Sequence, residues 1–592
     1  MVNGTNKGTK ENVFRLLSMI SIILGIVIGY TSIINIGINK LYAIGIILSV
    51  VLICLGIYFC LKMKSYKRIR ELSNNWGNEV NKKRKFEHIR KLHDVLKSKE
   101  EFYVDEQTWL DLDMDKVFLK LDRTLSTPGE QYLYHMLRKP CFSQDKLKRT
   151  GEKIEYFTTN KDTRDKIRFF LDKLGRDRKA TLVEFLNGEF QYSKVLKVVL
   201  NLLALLALIA VIYAVEKNPS IGVLEVFGIY FINLSIHSRV KRRIGADTSC
   251  IKYMYRVLAA AKNISSLNNC SKNIEEINVL KEEMGKCNKL IKSSASIAMA
   301  GTEGVDVFLD YINIFFLMEI RSYFSVVKEV EKQRESIKRI YENIGKIDAL
   351  ISVASYREGL KEYTEPVFVN NDNKLLLKEV SHPLIENPVC NSLNMDNNII
   401  ITGSNMSGKS TFLRTVGINA LFAQTIYTCI CKEYRGSFFR VITSISVNDN
   451  ITEGKSYYLG EAEALQRIIN SSGFDKYPIL TLIDEIFRGT NPVERVNAAA
   501  EILDYLAKNN CLVMVATHDL EITNMVKETY YNYYFTENVT KEGLNFEYKI
   551  REGISPTRNA IKILEYLGYP DEIINNINKR IEHKEDNINL GL

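Results

Sequence analysis

The 592-residue chain has no Cys-x-x-Cys pair: its 10 cysteines are scattered, and the closest two stand at Cys429 and Cys431. That spacing supports neither a zinc ribbon nor a dithiol redox site, and free thiols in a reducing compartment are the default. No internal repeat and no low-complexity tract is evident. Acid is in modest deficit, with 70 Asp and Glu against 80 Lys and Arg, a net charge of +10. Such an excess is compatible with nucleic acid or an anionic membrane surface, and carries little weight alone. At 46% hydrophobic and 25% charged, the composition fits neither wholesale disorder nor a polytopic channel. The length predicts about four units at roughly 150 residues each.

Charge is missing altogether from two stretches near the start. Residues 16–39 and 41–61 are uncharged and rich in Ile, Leu and Val, with Lys40 between them. Each reaches the ~20 residues that a membrane-spanning helix needs. A cleaved signal peptide is the competing reading, but a second full-length span follows at once. Lys7, Lys10 and Arg15 precede the pair, and Lys62, Lys64, Lys67, Arg68 and Arg70 follow it. By the positive-inside rule both ends are cytoplasmic. Residues 198–215 and 221–236 form a second candidate hairpin, followed by Arg239, Lys241, Arg242 and Arg243. Glu225 weakens its second span, and a buried soluble hairpin is the alternative there.

Between and after these runs the pattern is helical. The basic segment 63–100, with Lys82-Lys83-Arg84-Lys85, reads as a juxtamembrane helix for topology or lipid contact. Residues 101–194 and 241–365 carry long charged-apolar alternation with few breakers. Val330, Ile337, Ile340, Ile344 and Ile347 mark one long amphipathic helix or a pair, whose apolar stripe is a packing face. From about Glu365 short β-rich runs alternate with helices, which predicts an α/β domain.

That domain holds the chemistry. An apolar run, Ile399-Ile400-Ile401-Thr402, leads into Gly403-Ser404-Asn405-Met406-Ser407-Gly408-Lys409-Ser410-Thr411, and a helical run follows. This is G-x-x-x-x-G-K-S in its required strand-to-helix context, a phosphate loop. Lys409 is suited to the β- and γ-phosphates of ATP, and the Ser410 hydroxyl to Mg2+. Downstream, the apolar run 479–483 ends in Asp484-Glu485, where Asp484 suits the metal and Glu485 suits activation of water. A third strand ends in Thr517-His518, and a histidine there can sense the γ-phosphate.

The finer residues name a family. The segment 403–411 resembles the phosphate loop of MutS proteins, Asp484-Glu485-Ile486-Phe487-Arg488-Gly489-Thr490 resembles their DEIxRGT segment, and Ala516-Thr517-His518 matches their ATH. Residues 448–458 look like the family's signature loop, and Ser381-His382-Pro383-Leu384 resembles the lead into its ATPase. Thr108-Trp109-Leu110-Asp111-Leu112 and the segment 121–129 resemble the start of the MutS core and lever. The resemblance covers roughly 101–194 and 241–580. It implies an ATPase acting as a homodimer on DNA, with Ser456 reaching the nucleotide of the other subunit and Tyr548 in the place of a base-stacking histidine. Departures accompany it. No Phe-x-Glu mismatch wedge precedes residue 194, no nuclease module is recognised, and Val389 stands where a stacking aromatic is expected.

The expected fold is an α/β P-loop (ABC-type) ATPase domain at the C-terminus, preceded by an all-α core/lever domain with two transmembrane helical hairpins. Its divisions are 1–62 (hairpin), 63–100 (basic helix), 101–194 (core/lever, first part), 195–240 (second hairpin), 241–365 (core/lever, second part) and 366–592 (ATPase with helical tail). Lys409, Glu485, His518 and Ser456 are expected to act in catalysis. Gly403, Ser404, Asn405, Met406, Ser407, Gly408, Lys409, Ser410, Thr411 and Tyr548 would bind ATP, and Ser410 and Asp484 would hold Mg2+. The protein is expected in the cell membrane as a multi-pass chain with both termini and the ATPase cytoplasmic, touching lipid bilayer and DNA. One alternative is a membrane ATPase that moves its hairpins without DNA. The ABC-transporter signature Leu-Ser-Gly-Gly-Gln is absent, and Ser456-Tyr457-Tyr458-Leu459-Gly460 stands in its place. An inactive scaffold conflicts with the intact motif set.

Overall fold

The computed structural model describes the chain apart from residues 1, 36–41, 81–82, 99–100, 178, 180, 191–193, 217–218, 268–273, 300–305, 370–372, 405, 447–456, 474–475, 488–490, 541–542, 555–563, 565–567 and 590–592. A helical amino-terminal part leads into a mixed α/β domain.

The uncharged runs lie in long helices. Val2–Asn35 packs against Tyr42–Asn74, and Lys194–Glu216 packs against Pro219–Ser265. All four are long and apolar enough to cross a membrane by length and composition. The first pair is closed by a seam of small residues. Ser18 Oγ donates to Gly56 O at 2.8 Å and Ser49 Oγ donates to Gly25 O at 2.6 Å. A Cβ on Gly29 would lie 2.5 Å from Ser49 Oγ, and one on Gly45 2.1 Å from Ser32 Oγ. Such residues let two backbones approach closely while the Ser18 and Ser49 hydroxyls keep their partners.

Two of these helices run on into the helical body. Beyond Lys62 and Lys64, Arg68 of Tyr42–Asn74 donates from Nε and Nη2 to the two carboxylate oxygens of Asp172, at 2.7 and 2.6 Å. Pro219–Ser265 continues past Arg243 until Tyr253 donates its hydroxyl proton to Gly175 O at 3.1 Å. The expected single helix over 63–100 is interrupted between Asn74 and Phe86. Trp76 is captured beneath the Arg164 guanidinium, 3.7 Å from its centre, and Gly77 turns the chain at φ +81°. Arg84, within the basic run, is buried against Asp122 and Glu130 rather than displayed to lipid or nucleic acid.

The amphipathic stretch resolves into a pair, Met318–Lys332 and Arg334–Gly359. Val330, Ile337, Ile340, Ile344 and Ile347 are all fully buried. Asp348 on the second helix accepts from Ser126 N at 2.9 Å, Ser126 Oγ at 2.5 Å and Leu125 N at 3.1 Å. A Cβ at Gly129 would stand 2.1 Å from Asp348 Oδ2, so only glycine allows this approach.

Among the described residues the α/β domain has ten strands: β1 (Val367–Phe368), β2 (Leu375–Val380), β3 (Asn391–Met395), β4 (Asn398–Thr402), β5 (Glu433–Gly436), β6 (Arg440–Ser444), β7 (Ile479–Asp484), β8 (Cys511–Ala516), β9 (Tyr530–Thr540) and β10 (Gly543–Glu552). They form a four-stranded sheet, β1-β5-β2-β3, and a six-stranded sheet, β10-β9-β4-β8-β7-β6. In the larger sheet every pairing is parallel except β10 with β9. All residues of β4, β6 and β8 are buried, as parallel strands covered on both faces require.

The helical body also buries a histidine pair, with His93 Nδ1 3.2 Å from His135 Nδ1. Burial, reinforced by neighbouring charge, pushes His93 down to about 3 and His135 down to about 4. The unfolded chain takes up these protons near pH 6.5 and the folded chain resists them, so this stability is complete above pH 6.5 and lost as pH falls towards 4. Each group contributes up to about 1.4 kcal/mol per pH unit in that window. Urea unfolding of the full-length protein between pH 7 and 4 should show this slope, reduced in the His93→Phe/His135→Phe double variant; an unchanged slope would rule out the pair as its source.

Candidate functional site

Three neighbouring parallel strands deliver the site. In the order β4-β8-β7, Ile401 and Asp484 both lie opposite Ala516. The segments that follow these strands therefore leave the sheet side by side at its C-terminal edge, the edge at which open α/β sheets bind ligands. The glycine-rich loop follows β4, Asp484-Glu485 closes β7, and His518 follows β8.

The loop is shaped by its glycines. Gly403 has φ +144° and Gly408 φ +109°. A Cβ at Gly403 would lie 2.6 Å from Phe535 O, and one at Gly408 3.2 Å from the Tyr548 ring. Lys409 opens the 17-residue helix Lys409–Thr425. Its ammonium donates back to Gly403 O at 2.7 Å and Ser404 O at 2.8 Å, so the loop wraps its own cation. The Ser407 hydroxyl is buried without a partner among the described residues.

Opposite the loop, Ser410 Oγ donates to Asp484 Oδ2 at 2.6 Å. Glu485 sits at φ +68°, held by its N–H donating to Ala516 O at 2.8 Å. A non-glycine residue there is strained, a state that persists only when its surroundings fix it. Its carboxylate lies 2.5 Å from His518 Nδ1. That hydrogen bond holds the half-exposed imidazole above its ordinary pKa. Arg495 donates to Asp519 Oδ1 at 2.7 Å beside them.

A single cavity of about 870 Å³ joins these groups. Ser404, Met406, Gly408, Lys409, Ser410, Thr411, Asp484, Glu485, His518 and Tyr548 line it, and so does Val389. Gly403 and Ser407 shape the loop from behind. Asn405 and Ser456 lie outside the described residues, as do 448–455 and 488–490. Asn491 caps the helix Pro492–Ala507, its side chain accepting from Val493 N at 3.0 Å. Tyr548 stands at a register shift in the β9–β10 pair. Asn391 pins that irregularity, donating to Tyr548 O at 2.9 Å and accepting from Ile550 N at 3.0 Å.

Sequence reasoning missed Asn391, Arg495 and Phe535, and used His382 only as part of a lead-in segment. All four line the cavity, and burial pushes His382 down to about 4. None carries a local signal, because each is brought in by strand pairing or by the start of a helix.

The site is tied to the helical body through Asp111, at the end of the helix Glu106–Asp111. Its buried carboxylate accepts from Thr443 Oγ1 at 2.7 Å, Ile445 N at 2.9 Å, Ser446 N at 2.9 Å and Gln107 Nε2 at 2.8 Å. Its carbonyl accepts from Arg414 Nε at 2.7 Å, and Arg414 Nη2 also donates to Ser446 Oγ at 3.0 Å. Arg414 lies one turn beyond Ser410 on the loop's own helix.

A hydroxyl and a carboxylate oxygen 2.6 Å apart are the hard donors that suit Mg2+. The lysine, the glycine turns and the start of a helix suit a polyphosphate. Fold and site thus define a mixed α/β domain with a loop-and-carboxylate centre at parallel strand ends. The sequence profile of MutS domain V matches residues 399–585. The DNA mismatch repair protein MutS of Thermotoga maritima is 34% identical over 280 residues, 46% of this chain and 35% of its own length. Those of Petrotoga mobilis and Clostridium perfringens are 28% and 27% identical, covering 45% and 46% of this chain and 34% and 32% of their own lengths. Through this region the chain belongs to the MutS family. It spans about a third of the length of these curated relatives.

Asp111→Ala should strip several buried donors of their acceptor at once and destabilise the protein by roughly 3 kcal/mol or more. Asp111→Asn, which keeps one carboxamide acceptor, should cost less. Urea unfolding of the solubilised protein measures both, and a loss below about 1 kcal/mol for alanine contradicts the assignment.

Proposed function

We propose that the chain is a membrane-anchored MutS-type ATPase, which binds and hydrolyses ATP at sites shared between two copies and grips DNA with its helical body. The observation that carries the reading is the convergence, in one cavity, of Lys409, the Ser410–Asp484 contact at 2.6 Å and the Glu485–His518 contact at 2.5 Å. On ATP binding, Lys409 exchanges the carbonyls of Gly403 and Ser404 for β- and γ-phosphate oxygens, and the loop's N–H groups close around the phosphates. Ser410 and Asp484 would hold Mg2+, which when bound neutralises charge on those phosphates. Glu485 accepts a proton from the attacking water, and His518 fixes the orientation of that carboxylate. Tyr548, against Gly408, offers a ring face to the adenine.

Support for DNA as a partner comes from the relatives, named DNA mismatch repair proteins, and from the net charge of +10. Support for the membrane comes from the four long apolar helices and the basic residues that flank them. Read by the positive-inside rule, these flanks support a multi-pass protein with both termini and the ATPase in the cytoplasm. A second reading, in which ATP hydrolysis moves the hairpins without DNA, is favoured by the two helices that run unbroken from the apolar segments into the body. Duplex, branched and mismatched DNA should each be added to the ATPase assay. A changed rate supports the DNA-coupled reading, and an unchanged rate supports the second.

Glu485→Gln should retain ATP binding and lower turnover by roughly 10²–10⁴. Lys409→Ala should weaken binding itself. Equal turnover in the wild type and Glu485→Gln removes Glu485 from its role.

The shared site is tested by mixing. Lys409→Ala and Ser456→Arg should each hydrolyse ATP poorly alone, while a heterodimer of the two should recover one working site. If heterodimers form without recovery, Ser456 acts within its own subunit, as a helix cap worth about 1 kcal/mol.

A further inference from the structure

The 11-residue helix Asp306–Phe316 was expected to belong to the soluble lever. Its neighbours place it elsewhere. Contacts of four residues, Tyr311, Phe315, Glu319 and Tyr323, set the register of residues 306–332 against the helix Pro219–Ser265. The rings of Tyr311 and Tyr230 lie 6.2 Å apart. Asn233 Nδ2 donates to Phe315 O at 2.6 Å. Glu319 Oε2 lies 3.1 Å from Lys241 Nζ and 3.6 Å from His237 Nε2. Tyr323 donates its hydroxyl proton to Asp247 Oδ2 at 2.6 Å. Residue numbers rise together along both partners, so the two segments run parallel.

The other side of the bundle agrees. Arg321 Nε donates to Asn201 Oδ1 at 2.7 Å and Lys197 Nζ donates to Ser325 Oγ at 3.1 Å. The helix Met318–Lys332 therefore flanks the basic ends of both apolar helices. Asp306–Phe316 extends from its start, level with the most apolar part of the neighbouring helix. At ~1.5 Å per residue, Phe315 lies about 9 Å and Tyr311 about 13 Å to the apolar side of Arg239. The helix is about 16 Å long, roughly half of the hydrocarbon thickness.

The Asn233 bond gives this placement a physical reason. Asn233 is fully buried, on a helix whose Phe227 and Phe231 are exposed. The Phe315 carbonyl belongs to a last turn, where intrahelical donors run out. In hydrocarbon an unpaired carbonyl is costly, and here the Asn233 amide N–H meets that of Phe315, while Asn233 Oδ1 has no partner among the described residues.

We propose that Asp306–Phe316 is an intramembrane helix too short to cross, seated in lipid beside the fourth span and touching acyl chains through Tyr311. The inference rests on the reading of 221–236 as a span.

The test uses the full-length protein in phosphatidylcholine vesicles. Photoreactive benzoylphenylalanine replaces Tyr311, Phe231 or Tyr505, each substitution keeping a ring at a position that is 56%, 62% or 49% exposed. Irradiation followed by mass spectrometry reports any added phospholipid. Adducts of comparable yield are expected at Tyr311 and Phe231, with none at Tyr505 on the α/β domain. Lipid at Phe231 but not at Tyr311 overturns the inference and leaves the span intact. Lipid at neither overturns the span and the inference together, and lipid at all three positions shows unspecific labelling and overturns it also. Lipid at both Tyr311 and Phe231, absent at Tyr505, upholds it, and lipid at Tyr311 without Phe231 overturns the span on which it rests.

Discussion

The buried carboxylate of Asp111 is the constraint on which the rest of the structure depends. It gathers the last residue pair before 447–456, the side chain of Thr443 on β6 and, through its own carbonyl, Arg414 of the loop helix. A carboxylate out of water is stable only when its oxygens are well supplied with donors, and here the donors come from both halves of the chain. The helix Glu106–Asp111 therefore cannot shift relative to the α/β domain without exposing several hydrogen-bonding groups together. Arg467 adds to the latch by pairing with Asp105 and with the Thr443 carbonyl. Helical body and α/β domain are joined at β6 and at the loop helix, and also through Arg357, which donates to Thr428 Oγ1 and Tyr427 O.

The site itself follows from strand order. Parallel strands β4, β8 and β7 place three loops along one edge, and the local backbone then aims the side chains. Positive φ at Gly403 and Gly408 opens the loop. Positive φ at Glu485 and Phe487, where a side chain opposes it, marks a segment that its neighbours hold in place. The Ser410–Asp484 and Glu485–His518 contacts divide the two carboxylates between them, so adjacent acids have different surroundings and different chemical opportunities.

What could be read from the sequence was contiguous. The loop 403–411, the strand-terminal acids and the histidine after β8 each announce themselves within a dozen residues. The apolar runs did the same for the long helices, and the three- and four-residue spacing did so for Met318–Lys332 and Arg334–Gly359. Asp111 was visible only as part of a resembling segment, because its donors include backbone groups more than 330 residues away. The break after Asn74 was hidden because it depends on Arg164 covering Trp76. Arg84 looked like surface charge for the same kind of reason: Asp122 and Glu130 receive it only once the chain has folded. The depth proposed for Asp306–Phe316 could not be read from its composition, since 11 residues are too few to signal a span.

The helices Tyr42–Asn74 and Pro219–Ser265 pass from apolar to polar sequence without a joint, and Asp172 and Gly175 hold them at nearby points of one helical body. A flexible tether would leave a cytoplasmic domain free to tumble. If the proposed spans lie in a bilayer, two continuous helices remove that freedom and fix which face of the body looks along the membrane plane. For a chain held in a bilayer this way, two copies meet by lateral diffusion with their faces already turned to common bearings. Their encounter is then governed by surface density, and the effective concentration gained by confinement replaces part of the affinity that a dimer in free solution must find in its interface.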